Sequence, residues 1–409
     1  MATLATAGRS AATWLVPLLA ASVLLNYVDR GAIGVAAPLM KDELALSATG
    51  FGVAVSAFFW VYAPLCVVAG LLCDRMCVYR LFAAGVALWA LSTLMTGFVS
   101  GIAMLIILRL FLGLGESIAF PGSSKIIAAE VAPERRGRAN AAVAAAIAFG
   151  PAVGTLAGGV IMIAFGWRAI FILFGLITLL WLVPWHLASR PVRAAATTAP
   201  SVEPYPLGRL LRIPALWKMG AGHFMSNYGF YFLLAWLPLY LVKTRGYSIP
   251  EMTALTTLGF AVQGIAALTL GWASDRWVAR GISEGPLRKG LMAIAHLASA
   301  ASIIGIFLAE STPALALWLV VAGIAGALVS TNLFCLAQMF SGPRAAGSWV
   351  GVQNALGNVS GIVGPIVTGL IIDILGGYGY AFAVAAAVSA FGALWWWLIV
   401  PKVELVATD

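Results

Sequence analysis

Apolar runs of roughly 20 residues or more, each long enough to cross a hydrocarbon core of about 30 Å, recur from one end of this 409-residue chain to the other. No other feature restricts the fold so strongly. Hydrophobic residues make up 62% of the chain and charged residues 10%. A soluble domain needs far more charge to cover its surface, so the sequence belongs to the membrane class. No stretch outside the apolar runs is long enough to build a soluble domain. The first run continues as a full span, so residues Met1 to Ser10 do not resemble a cleavable signal. The expectation is an all-α membrane protein of twelve transmembrane helices, near 13–38, 49–73, 79–99, 101–130, 138–165, 167–188, 216–243, 250–277, 289–309, 313–340, 347–374 and 378–400.

A net charge of +9 could suggest nucleic acid, but its distribution argues against that. Basic residues crowd alternate loops: Arg75 and Arg80, then Arg135, Arg136 and Arg138, then Arg190, Arg193, Arg209 and Arg212, then Arg276, Arg280, Arg288 and Lys289, then Arg344. The opposite loops hold Lys41, Arg168, Lys243 and Arg245. By the positive-inside rule both termini are cytoplasmic in a multi-pass inner-membrane protein. The partner implied is the lipid bilayer, and nucleic acid is excluded. Cys66, Cys73, Cys77 and Cys335 lie in or beside spans and lack the His or second Cys pair of a metal set, so no metal or cofactor is expected.

The segment from Ser189 to Pro214 breaks the rhythm, being rich in Pro, Ala and Thr with Arg at both ends. It divides the chain into a six-helix bundle over 1–188, a cytoplasmic linker over 189–215 and a second six-helix bundle over 216–409. The halves echo one another. Gly70-Leu71-Leu72-Cys73-Asp74-Arg75 ends span 2 and Gly271-Trp272-Ala273-Ser274-Asp275-Arg276 ends span 8, while Gly150-Pro151 of span 5 matches Gly364-Pro365 of span 11. Six plus six helices, a basic central loop and repeated Gly-x-x-x-Asp-Arg turns resemble the major facilitator superfamily. That family's loop signature continues with a Gly and further bases. Here Cys77 replaces the Gly and Tyr79 one base, while Arg80 is kept. The resemblance implies an inner gate closed by helix-end contacts among Gly70, Asp74, Arg75, Arg80, Asp275 and Arg276.

Charges inside the spans carry the chemistry. Asp29 and Arg30 in span 1, and Arg109 and Glu116 in span 4, stand deep in apolar surroundings. Each costs about 2.5–3.5 kcal/mol at a helix centre, so they face an interior cavity and not lipid. Counted from the helix ends, Arg30 and Arg109 both start about 12 Å below one membrane surface, and Glu116 shares a face with Arg109 about 10 Å deeper. Two forked cations at one depth suit a carboxylate. Lys125, near a span end, is expected to reach the headgroups. His223 is expected to be a packing residue, and Trp395, Trp396 and Trp397 an interfacial belt.

The sequence around these charges narrows the family. Asn26-Tyr27-Val28-Asp29-Arg30, Phe59-Trp60-Val61-Tyr62, the run Arg109 to Pro121, His223 to Tyr231, and Asn354-Ala355-Leu356-Gly357-Asn358 together resemble the anion:cation symporter branch. That branch includes bacterial hexuronate, galactonate and glucarate transporters, sialin and the vesicular glutamate carriers. The resemblance implies that Arg30 and Arg109 hold a substrate carboxylate, that Asp29 and Glu116 exchange protons, and that Tyr62 and Asn354 touch the substrate's polar groups. Tyr228 and Tyr231 are pocket aromatics able to stack on a ring. The vesicular glutamate carriers have an Arg where this chain has Ser226, which argues against a three-cation pocket. The expected function is therefore proton-coupled import of a small organic anion by a monomeric carrier. A sugar acid is the first choice, with aromatic or small aliphatic carboxylates as alternatives. An organophosphate antiporter lacks its second-half Arg, and an enzyme or receptor lacks a nucleophile–base pair, metal set or nucleotide loop.

Overall fold

The computed structural model describes residues 2–131, 133–195 and 206–406, and among them it contains helices and turns but no strand. The helices are α1 (Ala2–Glu43), α2 (Ala48–Arg75), α3 (Val78–Thr96), α4 (Ile102–Glu116), α5 (Ala119–Glu130), α6 (Pro133–Phe165), α7 (Trp167–Ala195), the single turn α8 (Leu207–Leu210), α9 (Pro214–Lys243), α10 (Ile249–Ala279), α11 (Glu284–Leu308), α12 (Thr312–Leu375) and α13 (Gly379–Leu394). The pair α4 and α5 forms one traverse, interrupted at Ser117–Ile118 directly after Glu116. α12 is two traverses meeting at Gly342, whose φ of 63° suits a residue without a Cβ. Residues 196–205 of the expected linker lie outside the described residues.

Among the described residues, eleven helices are long and apolar enough to cross a membrane. The 30-residue α9 is the remaining traverse. It is less apolar because it meets protein more than lipid, and His223, Tyr228, Tyr231, Trp236 and Tyr240 on it are all buried. Local signals set the helix ends as elementary chemistry predicts. Ser47 caps α2 by accepting from Gly50 N, and Ser248 and Glu251 form a reciprocal capping box on α10.

Successive traverses alternate in direction, so α1 ends and α2 begins on one face, termed the far face. The start of α1 and the end of α13 lie toward the opposite, terminal face. At the far face the first and second groups of helices are sealed together by close backbone contact. A Cβ built on Gly34 of α1 would fall 2.2 Å from Leu234 O of α9, and one on Gly52 of α2 would fall 2.2 Å from Pro365 O of α12. One on Gly369 of α12 would fall 2.5 Å from Ala48 O. Polar contacts finish the seal. The Asp373 carboxylate accepts from Ala48 N (3.1 Å) and Thr49 N (2.7 Å) at the start of α2, where helix N–H groups lack internal partners. Lys243 pairs with Asp42.

Along the same two helices the contact runs out toward the terminal face. Gly52, Phe59, Cys66 and Gly70 form one stripe of α2, and Gly369, Pro365, Gly361, Gly351 and Gly347 one stripe of α12. A Cβ at Gly70, Gly347 or Gly351 would meet none of the described residues within 4 Å. The helices are pressed together at one end and splayed at the other.

Of the residues expected to gate the terminal face, Asp275 and Arg276 find partners on α10 and α11. Asp275 accepts from Arg288 Nη2 (3.1 Å), while Arg288 Nε donates to Glu284 and Nη1 to Asn332. The Arg276 guanidinium lies 5.1 Å from the Trp272 ring centroid. Arg75 and Arg80 are exposed, and the Asp74 side chain lies outside what is described. The Lys125 Nζ donates to Cys73 O at 2.5 Å, tying α5 to α2. The tryptophan cluster is not wholly interfacial. Trp397 is exposed, but Trp396 is fully buried against Gly222, on the π turn Trp395–Ile399 that continues α13.

Candidate functional site

The charges that the sequence leaves inside apolar helices converge. Asp29, Arg30, Arg109 and Glu116 are 3%, 7%, 6% and 0% exposed. Arg30 Nε donates to Glu116 Oε2 at 3.0 Å. Its guanidinium is bordered by the rings of Tyr27, Phe58 and Tyr62, with centroids 5.1, 5.0 and 4.6 Å away. Such contacts stabilise a cation that burial has stripped of water. Asp29 faces α3 and accepts from Thr93 Oγ1 at 3.2 Å.

Arg109 differs. Among the described residues it forms no ion pair; its Nη2 reaches Val55 O at 3.5 Å, and its guanidinium carbon lies 5.1 Å from the Phe58 centroid. Phe58 therefore borders both arginines. Among the described residues, four charged-group atoms remain buried without a hydrogen-bond partner: Asp29 Oδ1, Arg30 Nη2, Arg109 Nε and Glu116 Oε1. Salt bridges that only lock helices together satisfy their donors and acceptors, because leaving them bare in low dielectric is costly. A concentration of unused valence at one point suits a site that receives a ligand.

Helix geometry explains who pairs with whom. Side chains lean toward the N-terminus of their own helix. α1 and α4 run in opposite directions, so Arg30 leans toward the terminal face and Glu116 toward the far face, and the two meet. Arg109, also on α4, leans away. Heights counted from backbone positions alone put Arg30 level with Arg109 and Glu116 about 10 Å deeper; the observed partner of Glu116 is Arg30.

Between α1, α2, α4 and α9 lies a cavity of ≈ 20 Å³, lined by both arginines together with Phe58, Phe59 and Tyr231. As it stands it has room for water and not for an organic acid. The Tyr231 hydroxyl donates to Asn358 Oδ1 (2.7 Å), and Asn358 Nδ2 donates to Asn354 O (2.7 Å) and Oδ1 (3.1 Å). Among the described residues no group of three or more His, Cys, Asp or Glu could hold a metal ion.

A sequence profile of the Major Facilitator Superfamily matches residues 19–283 and 246–408. The chain belongs to that superfamily. Among this facilitator's relatives, the hexuronate transporter of Bacillus subtilis is 28% identical over 91% of this chain and 90% of its own length. A probable sulfoacetate transporter of Cupriavidus necator is 29% identical over 90% and 89%. The chloroplastic ascorbate transporter of Arabidopsis thaliana is 27% identical over 94% and 74%. The fold matches the inward-facing, occupied crystal structure of a bacterial homologue of the human lysosomal transporter Spinster, with a TM-score of 0.75 at 18% identity over 94% of this chain and 96% of that one. These similar proteins are transporters, and the facilitator is a membrane carrier and not an enzyme.

The facilitator fold brings together Asp29, Arg30, Tyr62, Arg109 and Glu116, and connects Asn354 to them through Asn358 and Tyr231. It does not bring Tyr228. That ring packs beside Gly364 and 6.2 Å from the Phe224 centroid, and the tyrosine lining the cavity is Tyr231, one turn on. Ser226 turns away, bonding Gly222 O (3.0 Å) and His296 Nε2 (3.1 Å). Phe58 and Thr93 are contributors that the sequence does not single out. Phe58 stacks on Tyr62 with centroids 4.9 Å apart, and their spacing of four residues on α2 is the signal that could have found it.

Proposed function

We propose that this facilitator is a proton-coupled symporter importing a small organic anion, with Arg109 receiving the anionic head and Glu116 carrying a coupling proton. The observation that carries the reading is the asymmetry of the two arginines. Arg30 already holds a carboxylate, that of Glu116, while Arg109 holds none among the described residues. The Arg30–Glu116 contact is a template for how a substrate carboxylate would sit on the second fork. With both acids ionised, Asp29, Arg30, Arg109 and Glu116 sum to zero. An arriving carboxylate then leaves a buried net negative charge, which is costly until an acid takes up a proton. A protonated Glu116 releases Arg30 to join Arg109 around the substrate. Substrate and proton thereby favour each other's binding, and linkage makes that preference mutual.

In this reading the bundles over 1–188 and 216–409 rock about the site, joined by the linker over 189–215, and the terminal face is cytoplasmic in an inner membrane. The observed conformation is then inward-facing, with the site itself closed around its arginines. Closing the terminal face would bring the Gly70–Arg75 and Gly271–Arg276 turns toward each other as an inner gate. The names of the relatives support an anionic cargo, since hexuronate, sulfoacetate and ascorbate differ in body and agree in charge. The test is uptake of radiolabelled organic acids into proteoliposomes with an imposed acid-outside gradient. Accumulation should collapse on adding an uncoupler. Uptake indifferent both to the gradient and to substitution of Arg109 would overturn the proposal.

A further inference from the structure

Resting on the reading that the two arginines take a carboxylate, we infer that the body of the transported anion is an aromatic or otherwise apolar skeleton and not a polyhydroxylated one. The cavity around the guanidinium groups is walled by Ile33, Val55, Phe58, Phe59, Leu234 and Ala235, all buried. Apart from the arginines, the one polar side chain in that lining is Tyr231. Its hydroxyl is already committed to Asn358, whose amide is in turn committed to Asn354. A sugar acid presents several hydroxyls, each needing a partner once water is excluded. Once the carboxylate takes the free guanidinium donors, the Tyr231 oxygen, which can still accept, is what this wall has left for them, and each buried hydroxyl left unpaired weakens binding roughly tenfold.

The walls also dictate what gains by entering. The Phe59 ring lies edge-on to Phe58 (centroids 4.8 Å apart, planes at 88°) and 4.7 Å from the Tyr231 centroid across the boundary between α2 and α9. It rests flat on α12, where a Cβ at Gly361 would fall 2.6 Å from three of its ring carbons. A cavity of ≈ 20 Å³ admits a substrate body only by widening, and parting Phe59 from Tyr231 forfeits their ring contact. A flat aromatic body replaces that lost contact with two, one to each ring. A polyol replaces it with none. The head on Arg109 and the body between α2 and α9 would together bridge helices of both halves, giving the ligand a grip on the element that must move.

Thermal-shift and calorimetric titrations of the purified carrier with phenylacetate and with glucuronate, both monoanions, test this directly. Phenylacetate should bind at least roughly tenfold more tightly, the difference of about one unpaired hydroxyl. Arg109→Lys should weaken it, which non-specific partition into detergent would not reproduce. Phe59→Asn, which offers an amide to hydroxyls, should narrow the ratio; if that variant fails to insert, the wild-type ratio alone decides. Glucuronate binding as tightly as phenylacetate, or more so, overturns the apolar-body inference and leaves the carboxylate site standing. Binding of neither anion overturns the carboxylate site and the inference with it.

Discussion

Gly52→Ala should convert the far-face seal into a wedge. The added methyl carbon would sit 2.2 Å from Pro365 O and 2.8 Å from Pro365 C, where an ordinary contact is more than an ångström longer. Both atoms are backbone of a packed helix, so no rotamer relieves the overlap, and α2 and α12 must part. Overpacking of this kind costs about 1–3 kcal/mol. The clash exists only while the far face is shut, whereas the helix-propensity gain of alanine over glycine is common to every conformation and cancels. The balance between far-face-closed and far-face-open forms should therefore move roughly 5- to 150-fold toward the open form. Spin labels on Met76→Cys and Arg280→Cys, exposed positions on the terminal face in opposite halves, would report the change by electron–electron resonance, with the four native cysteines replaced. The expected outcome is a new, shorter distance population as the terminal face closes. An unaltered distance distribution in a folded Gly52→Ala protein would refute the idea that this glycine contact holds the conformation.

Three further outcomes are expected. Arg109→Lys should insert and fold yet lose most transport, because an ammonium lacks the planar fork that matches a carboxylate; wild-type rates in reconstituted vesicles would count against the anion contact. Glu116→Gln should still exchange substrate across preloaded vesicles but fail to accumulate it, since a permanently neutral amide leaves Arg30 available and has no proton to discharge. Normal accumulation would remove Glu116 from coupling, and loss of both activities would recast it as a binding residue. If two protons accompany a monocarboxylate, one net charge moves inward and gains about 2.3 kcal/mol per 100 mV, so a valinomycin-imposed potential should accelerate uptake. A flat response would favour one proton per anion.

How much of this was legible in the sequence depended on what the membrane makes expensive. Asp29, Arg30, Arg109 and Glu116 stood out because a charge in hydrocarbon needs a reason, and all four are buried. Their pairing did not stand out, because the lean of side chains toward helix N-termini matters as much as spacing when antiparallel helices face each other. Tyr228 and Tyr231 sit three residues apart on one helix face, and it is tertiary packing that separates them, Gly364 and Phe224 beside the first and Phe59 and Asn358 beside the second. Phe58 was invisible as an apolar residue in an apolar helix, although it touches both guanidinium groups. The twelve-traverse fold followed from periodic apolar runs and an internal repeat, and the least apolar traverse, α9, is one whose tyrosines and tryptophan are buried against other helices.

The glycines at the splayed end of α2 and α12 have a different consequence. A Cβ on Gly70, Gly347 or Gly351 would touch none of the described residues, and a helix-interior glycine gives up roughly 0.5–1 kcal/mol relative to alanine. Among the described residues no contact repays that sacrifice. It makes sense as provision for a close approach at this end that the protein must also be able to adopt. Anyone engineering a sturdier version would choose these positions first, since alanine fits each with room to spare. The variant so obtained would melt later and turn over more slowly, because rigidity gained in one pose is mobility withdrawn from the cycle. For a carrier, part of the sequence is written for a shape that a single structure never displays.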